Sequence, residues 1–289
     1  MADPPKDPLI GATFGGRWSI ERPLAAGGMG AVYVARHGDT GRPVALKLIK
    51  SAGAADPELV ARFRKETAAL AAVSHPNVVT FLDSGVDNGT FFLVMELLAG
   101  QSLRAIMKVA VPWRRAFAIA ADMCRALAAL HKLGIVHRDL KPENVFLQTA
   151  EGHDEVTKLI DFGVVRRDDA ATAAATRTGM VVGTPGYISP EQLRGGTATA
   201  ASDVYAVGVI LYELVAGRFP FAADNSHAML VRQLIDPVPP PRSINPAVPA
   251  HVESLILRMM ERDPAQRVAT ALDALALLVD AGQAATPPG

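Results

Sequence analysis

The sequence predicts an α+β fold in which a strand-rich N-terminal part precedes a helical C-terminal part. Up to about residue 96, short apolar runs alternate with Gly, Asp or Asn turns. After Gly100, apolar residues recur at helical spacing over longer stretches. Strands followed by helices are the pattern of an α+β protein. The predicted strands are Trp18–Leu24, Ala31–Arg36, Val44–Ile49, Val78–Asp83 and Phe91–Met95.

One helix interrupts the strands, and four more helices follow them. The first begins at Asp56-Pro57-Glu58, a capping residue followed by proline in the first turn. Its apolar stripe, at spacings of four and three, is Leu59, Phe63, Thr67, Leu70 and Val73. The later helices are predicted from Pro112 to a stop at Gly134, from Ser202 to Val215 before Gly217, from about Pro249 to Glu261, and from Thr270, where Asp273 completes a capping box.

The composition excludes several classes of protein. Hydrophobic residues make up 49% of the 289 residues and charged residues 20%, as in a globular chain. Lys+Arg 29 equals Asp+Glu 29, so no net charge attracts nucleic acid or an anionic membrane. The single cysteine, Cys124, has apolar helical neighbours and is predicted to be a buried core residue, not a redox sensor. We expect a cytoplasmic domain, because Met1–Pro8 lacks a signal-peptide core and Ala271–Val279 is too short to span a bilayer.

The most informative segment is His137-Arg138-Asp139-Leu140-Lys141-Pro142-Glu143-Asn144, followed 22 residues after Asp139 by Asp161-Phe162-Gly163. Asp139 supplies a carboxylate for a substrate hydroxyl, and Asn144 and Asp161 supply the hard oxygen ligands that magnesium favours. Phosphoryl transfer from ATP requires this combination. A single Asp or Asn could instead cap a turn, but two motifs at this spacing make that alternative weak.

These motifs resemble the catalytic and magnesium loops of eukaryotic-like (Hanks-type) Ser/Thr protein kinases of the bacterial type. The resemblance extends from about Trp18 to Leu278. It implies the bilobal protein-kinase fold and the activity of a non-specific Ser/Thr protein kinase, in which Asp139 accepts or orients the hydroxyl and Lys141 neutralises the γ-phosphate. The implied domains are a disordered extension at 1–14, a kinase domain at 15–280 with an N-lobe at 15–96 and a C-lobe at 101–280, and the start of a linker at 281–289.

The segment Leu24–Tyr33 resembles the glycine-rich loop of this family, in which bare backbone N–H groups approach the ATP phosphates. Gly27 and Gly30 match the family pattern. Ala25 replaces its first glycine, from which we expect a stiffer loop and weaker ATP binding. A tight hairpin would also require glycine, so the loop alone leaves both interpretations open.

Lys47, in Val44-Ala45-Leu46-Lys47, lies within an apolar strand, where its charge is costly to bury unless it is paired. Glu66, 19 residues later on the predicted helix, is the expected partner. By resemblance, Lys47 holds the α- and β-phosphates and Glu66 orients it. The alternative is a lysine that reaches solvent at a sheet edge. Further nucleotide-binding residues implied by the resemblance are Leu24, Val32, Ala45, Met95 as gatekeeper, Glu96 and Leu97 as hinge, and Phe146.

The segment Gly183–Glu191 resembles the motif that closes the activation segment, with Ser189 where alanine is common. The resemblance implies an ion pair between Glu191 and Arg267 that ties this segment to the helical part. It also implies that Asp203 supports the catalytic loop from below. These three charged residues are expected to be scaffold and not to take part in chemistry.

Between the magnesium loop and the closing motif, Asp168–Gly179 is small and polar. Thr176 and Thr178 fall where bacterial relatives carry paired phosphothreonines, and Arg138 precedes Asp139, as in kinases controlled by phosphorylation of this loop. We therefore expect autophosphorylation at both threonines, with Arg138 as one phosphate ligand. The alternative is a flexible loop with incidental threonines.

Two other functions share this fold, namely a small-molecule (antibiotic-type) phosphotransferase and a pseudokinase scaffold. Lys141, the Gly183–Glu191 segment and the Asp203 helix favour a protein substrate, and the complete set of catalytic residues argues against a pseudokinase. The resemblance implies ATP and Mg²⁺ as cofactors, with Mn²⁺ able to substitute. The implied partners are protein substrates, phosphothreonine-binding domains, a phosphatase and a second copy bound through the N-lobe, but no nucleic acid. We expect no membrane segment in this chain, although an anchor could follow Gly289.

Overall fold

The structure is a computed structural model that describes residues 7–27, 30–49, 56–149, 155–162 and 185–283. The chain divides into two compact units. The first unit is formed by Met1–His75 and Val79–Ala99, and the second by Pro76–Val78 and Gly100–Gly289. The first is rich in strands and the second in helices, in agreement with the predicted α+β class.

The described part of the first unit contains a six-stranded sheet and one helix. The strands pair antiparallel in the order β1-β2-β3-β4-β6-β5. Side chains on one face form the core of the unit, which includes Trp18, Tyr33, Leu46 and Val94. The elements are β1 (Thr13–Phe14), β2 (Trp18–Gly27), β3 (Gly30–His37), β4 (Pro43–Ile49), α1 (Pro57–Ala71), β5 (Phe81–Asp87) and β6 (Thr90–Glu96).

Residues 7–14 are ordered against this sheet, so the prediction of disorder through residue 14 is wrong for them. Phe14 pairs with Trp18 in register and is 8% exposed, and its ring lies 6.1 Å from that of Phe92. Leu9 packs against the same core. The sequence suggested a polar, proline-rich tail, but burial of these two apolar side chains holds its second half on the sheet.

Helix α1 begins as predicted, because the Asp56 side chain caps it by accepting from the Glu58 N–H at 2.9 Å. Phe63, Thr67 and Leu70 of its apolar stripe are buried. Strand β5 differs from the prediction of Val78–Asp83, since it begins three residues later. Val78 instead bridges to Leu159 and belongs to the second unit.

The described part of the second unit is built mainly of helices around the helix Ala200–Ala216 (α5), whose residues from Ser202 onward are almost all buried. Gly217 ends α5 in the left-handed conformation, φ +73°, as expected of a stopping glycine. Thr270 and Asp273 form the predicted capping interaction at 3.1 Å. The helices are α2 (Leu103–Ile106), α3 (Trp113–Lys132), α4 (Pro190–Leu193), α5 (Ala200–Ala216), α6 (Ser226–Ile235), α7 (Ala250–Met259) and α8 (Ala271–Gln283).

A small antiparallel sheet in the second unit was not predicted from the sequence. Its strands, in the order β7-β8-β9, are Gly100–Ser102, Val145–Gln148 and Val156–Leu159. They are too short for a clear alternation of apolar and polar residues. Through the described ranges, no helix is long and apolar enough to cross a bilayer.

Candidate active site

In the first unit, the register of the sheet gathers several predicted nucleotide-binding residues on one face. Lys47 pairs with Val32 on one side and with Leu93 on the other, and Ala45 pairs with Met95. Directly opposed residues of antiparallel strands project to the same face, as do residues two apart on one strand. Val32, Ala45, Lys47 and Met95 therefore share the face opposite the core.

Helix α1 packs on this same face. The rings of Phe63 and Phe91 lie 4.6 Å apart, and the Ser84 hydroxyl donates to that of Thr67 at 3.0 Å. Glu66, on α1, accepts from Arg62 Nε at 2.9 Å. The expected pair between Lys47 and Glu66 stays a prediction.

The two glycines of the predicted glycine-rich loop, Gly27 and Gly30, differ in how much room the structure leaves for a side chain. A Cβ on Gly30, where φ is +151°, would lie 1.9 Å from the carbonyl oxygen of Leu48, so only glycine fits beside β4. Gly27 pairs with Gly30 across the hairpin, yet a Cβ there would meet nothing within 4 Å. Gly30 thus has a packing role regardless of any ligand. Gly27 has none, which is compatible with a ligand that approaches the backbone. Leu24 is 48% exposed on β2.

In the second unit, the catalytic-loop residues lie within hydrogen-bond distance of one another. Lys141 Nζ lies 3.0 Å from Asp139 Oδ2. Asn144 Nδ2 donates to the Asp139 carbonyl oxygen at 2.8 Å, which directs the amide oxygen of Asn144 away from that carbonyl. A carboxylate, a cation and an amide oxygen are therefore grouped within six residues.

The backbone joins this loop to Asp161. The Ile160 N–H donates to the Asn144 carbonyl oxygen at 2.9 Å, immediately before Asp161. Asp161 has φ +62°, an uncommon conformation for a residue other than glycine. Asn144 and Asp161 offer only oxygen donors, so the set fits Mg²⁺, which is bound by one or two carboxylates and completed by phosphates. Within the described ranges, no group of three or more His, Cys, Asp or Glu side chains could hold a metal ion.

Asp203 supports the catalytic loop from α5, as expected. Its carboxylate is 2% exposed and accepts from the backbone N–H of His137 at 2.9 Å and of Arg138 at 3.1 Å. His131 Nε2 lies 2.8 Å from the same carboxylate. Arg138 has φ +65°, so these bonds hold the loop where its backbone is strained.

The ring of His137 lies 5.0 Å from that of Phe162 and is fully buried. Burial lowers the pKa of His137, although the nearby Asp203, Asp139 and Asp161 carboxylates oppose this. A neutral imidazole packed on Phe162 connects the catalytic loop to the segment that carries Asp161. His137 thus has a packing role between these two segments.

Glu191 and Arg267 form the predicted ion pair. Arg267 donates from both terminal nitrogens to the two carboxylate oxygens, at 2.8 and 2.9 Å, and Ser202 donates to Glu191 at 2.7 Å. Burial by itself would raise the pKa of Glu191, but hydrogen bonds from Arg267, a backbone N–H and Ser202 lower it to about 2. The pair anchors residues 185–191, which we call the closing segment.

Sequence reasoning missed a cluster around Arg104. Its guanidinium donates to Glu143 at 2.9 Å, to Glu213 at 2.8 Å and to the Tyr187 hydroxyl, and Tyr187 donates in turn to Glu213. Burial raises the pKa of Tyr187, so the phenol stays protonated. The cluster joins the catalytic loop, the closing segment and α5. Tyr187 and Glu143 lie in recognised motifs, but nothing in the sequence marks Arg104 as their partner.

The remaining predicted residues have the following positions. Glu96 ends β6 and accepts from the Thr80 N–H at 2.8 Å, Leu97 follows it, and Phe146 lies on β8, half-buried. Cys124 is fully buried on α3, and burial raises the pKa of its thiol to about 12, as expected of a core residue. The proposed phosphorylation sites, Thr176 and Thr178, lie outside the described residues.

A sheet face carrying Lys47 and a loop pair carrying Asp139, Asn144 and Asp161 define a protein kinase domain. The family model of the protein kinase domain matches residues 18–277, and the chain belongs to that family, to its bacterial Hanks-type Ser/Thr branch. This confirms the resemblance predicted from the sequence.

Similar proteins support the same assignment. Serine/threonine-protein kinase Pkn1 of Myxococcus xanthus is 39% identical over 92% of this chain and 38% of its own length. PknA of Mycobacterium tuberculosis is 40% identical over 90% of this chain and 60% of its length, and PrkC of Bacillus subtilis is 36% identical over 92% and 40%. The chain thus spans 38–60% of the length of these relatives.

The fold is also that of a solved kinase structure. The crystal structure of the Mycobacterium tuberculosis PknI kinase domain matches with a TM-score of 0.74 at 25% identity, covering 94% of this chain and 98% of that one. The predicted kinase fold is confirmed by this similarity.

Proposed function

We propose that this chain transfers the γ-phosphate of ATP to Ser or Thr hydroxyls of proteins. The observation that carries the proposal is the grouping of Asp139, Lys141 and Asn144, with the Asp161 segment linked to Asn144 through the Ile160 backbone. The names of the relatives, all of them serine/threonine-protein kinases, support the same reaction. A small-molecule acceptor has no comparable support.

In this proposal, Asp139 orients the acceptor hydroxyl and takes its proton as the phosphoryl group moves. Lys141, 3.0 Å from Asp139, balances charge on the transferred phosphoryl group. Asn144 and Asp161 would hold Mg²⁺, which neutralises charge on the phosphate oxygens when it is bound. Lys47, oriented by Glu66, would hold the α- and β-phosphates. Catalysis then comes from positioning and electrostatics.

The nucleotide would be bound by the residues that the resemblance implied. The finer proposals are that Mn²⁺ can replace Mg²⁺, that Thr176 and Thr178 are autophosphorylated, and that a phosphatase, phosphothreonine-binding domains and a second copy are partners. The kinase domain would span 15–280. The proposed nucleotide contacts are Leu24, Gly27, Gly30, Val32, Ala45, Met95, Glu96, Leu97 and Phe146.

The test is incubation of purified protein with labelled ATP and Mg²⁺ beside the Asp139→Asn variant, with phosphate mapped by mass spectrometry. We expect the substitution to lower turnover by at least about a hundredfold, because the acceptor hydroxyl loses its base. Thermal unfolding should be unchanged within a few degrees. Label on Thr176 and Thr178 in the unmutated protein alone would support their autophosphorylation, whereas equal labelling of both proteins would refute the role of Asp139.

A further inference from the structure

Gln233, on α6, is a buried polar residue that no motif singles out. Its exposed fraction is 0%. Its Nε2 donates to the carbonyl oxygens of Gly186 at 3.1 Å and Ile188 at 2.6 Å. Because carbonyl oxygens only accept, the amide must turn its NH₂ group towards them, and its orientation is fixed.

The hydrogen-bonding capacity of the Gln233 amide is only partly satisfied among the described residues. Nε2 also lies 3.2 Å from the Tyr205 hydroxyl, but Oε1 of Gln233 has no hydrogen-bond partner among the described residues. A buried acceptor without a partner is unfavourable, whereas the NH₂ group supplies donors to two backbone carbonyl oxygens that an apolar side chain would leave without them. The contribution of Gln233 therefore lies in the two carbonyl groups that it holds.

Those carbonyl groups belong to a part of the closing segment that is closely packed against Phe219. A Cβ on Gly186 would lie 2.2 Å from the Phe219 ring, so this side of the segment has no spare room. The ring of Tyr187 lies 5.7 Å from the same phenylalanine, and its hydroxyl donates to Glu213. Of these contacts, the amide of Gln233 is the one that acts on the main chain. By fixing the carbonyls on both sides of Tyr187, it fixes the backbone conformation between them.

We propose that Gln233 is a positioning residue for the protein acceptor. It holds the main chain at Gly186 and Ile188. Tyr187 and Ile188 line the same cavity as Asp139 and Lys141, so the conformation of the closing segment sets the surface on which an acceptor chain would approach Asp139. This inference rests on the proposed function. The backbone of the loop that carries Asp139 is held mainly by Asp203, through hydrogen bonds that do not involve Gln233. Arg104 links Glu143 of that loop to Tyr187 only through side chains. Loss of Gln233 should therefore weaken acceptor binding while sparing ATP chemistry.

The test uses Gln233→Glu and Gln233→Met, which remove both N–H donors while keeping the approximate volume. Asn245→Asp is the matched control, since Asn245 Nδ2 also donates to a backbone carbonyl, that of Val215 at 2.8 Å, away from the closing segment. Phosphorylation of myelin basic protein gives KM and kcat for the acceptor. ATP hydrolysis without acceptor gives the rate of the chemistry, and hydrogen exchange reports the order of residues 185–193.

We expect the acceptor KM of both Gln233 variants to rise about tenfold while ATP hydrolysis stays within about twofold of the unmutated protein. Hydrogen exchange should quicken at residues 185–188 and not in α5. The Asn245→Asp protein should match the unmutated one in all kinetic readouts. Asn keeps the two amide N–H donors on a shorter side chain. The acceptor KM of Gln233→Asn should therefore lie between that of Gln233→Met and that of the unmutated protein.

Three results would overturn the proposal while leaving the proposed function intact. An unchanged acceptor KM would show that the segment is positioned without Gln233, and a parallel loss of ATP hydrolysis would place the effect on catalysis. Unfolding of both substituted proteins at the assay temperature would make Gln233 a stability residue. Failure of the unmutated protein to phosphorylate any protein while hydrolysing ATP would instead refute the proposed function itself, and the inference with it.

Discussion

Two carboxylates in the second unit, the buried Asp203 and the partly buried Glu191, hold neighbouring segments in different ways. Asp203 accepts mainly from backbone N–H groups, those of His137 and Arg138. Glu191 is neutralised by the guanidinium of Arg267 in a two-point contact. The first carboxylate therefore sets the backbone conformation of a strained loop, and the second joins two parts of the unit through paired charges. We expect Asp203 to matter most for turnover and Glu191 for stability.

The largest expected effect is that of Asp203→Asn. The substitution removes the negative charge beneath the catalytic loop, and hydrogen bonds to charged groups contribute about 1.5–3 kcal/mol each. Turnover should fall roughly a hundredfold, because Asp139 is then less well placed. Steady-state kinetics measures turnover, and thermal melting followed by circular dichroism checks that the variant is folded. Turnover within about twofold of the unmutated protein would mean that the loop keeps its strained conformation without the carboxylate.

Glu191→Gln should act on stability first. Removing one partner leaves the buried guanidinium of Arg267 without its counter-charge, which typically costs 3–5 kcal/mol, and we expect a loss of about 3 kcal/mol. Urea titration measures the free energy of unfolding. If Asp203→Asn lowered the free energy of unfolding by as much as Glu191→Gln does, the distinction between the two carboxylates would not hold.

The pH dependence sharpens the same comparison. The pKa of Glu191 is lowered from 4.5 to about 2, so its contribution is complete above pH 4.5 and is lost as the pH falls through about 2. The full shift corresponds to about 3 kcal/mol, and solvent reaches 17% of the side chain, so screening reduces the expected change to about 2 kcal/mol.

The stability difference between the unmutated protein and Glu191→Gln should therefore narrow by roughly 1 kcal/mol between pH 7 and pH 3. Urea titrations of both proteins at the two pH values give this difference. If this stability difference increased at low pH, the pKa of Glu191 could not be lowered in the folded protein.

The smallest effect is expected for Thr270→Ala, which touches neither carboxylate. The Thr270 hydroxyl accepts from the Asp273 N–H at 3.1 Å and caps α8 at an exposed position. Loss of such a cap costs about 1 kcal/mol. The free energy of unfolding should fall by that amount, and the kinetic constants should not change. A larger loss of stability would mean that α8 depends mainly on its first turn.

Much of this arrangement could be predicted from local patterns. The proline after Asp56 and the glycine at 217 gave the correct ends of α1 and α5, because capping and left-handed termination depend on neighbouring residues alone. The ion pair of Glu191 and Arg267 was predicted by resemblance. Residues 7–14 were predicted wrongly, since the prediction was based on polar composition and the outcome depended on two apolar side chains, Leu9 and Phe14, that pack in the core of the sheet.

The sequence by itself determined the family, the two motifs in which the proposed metal ligands and the proposed catalytic carboxylate lie, and most helix ends. These features depend on residue type and short spacing. Only the tertiary structure decided which side chains meet across long separations, such as Arg104 with Glu143 and Glu213, or Gln233 with Gly186. A buried amide or guanidinium takes its partners from whichever segments folding brings near it, and no local period in the chain encodes that choice.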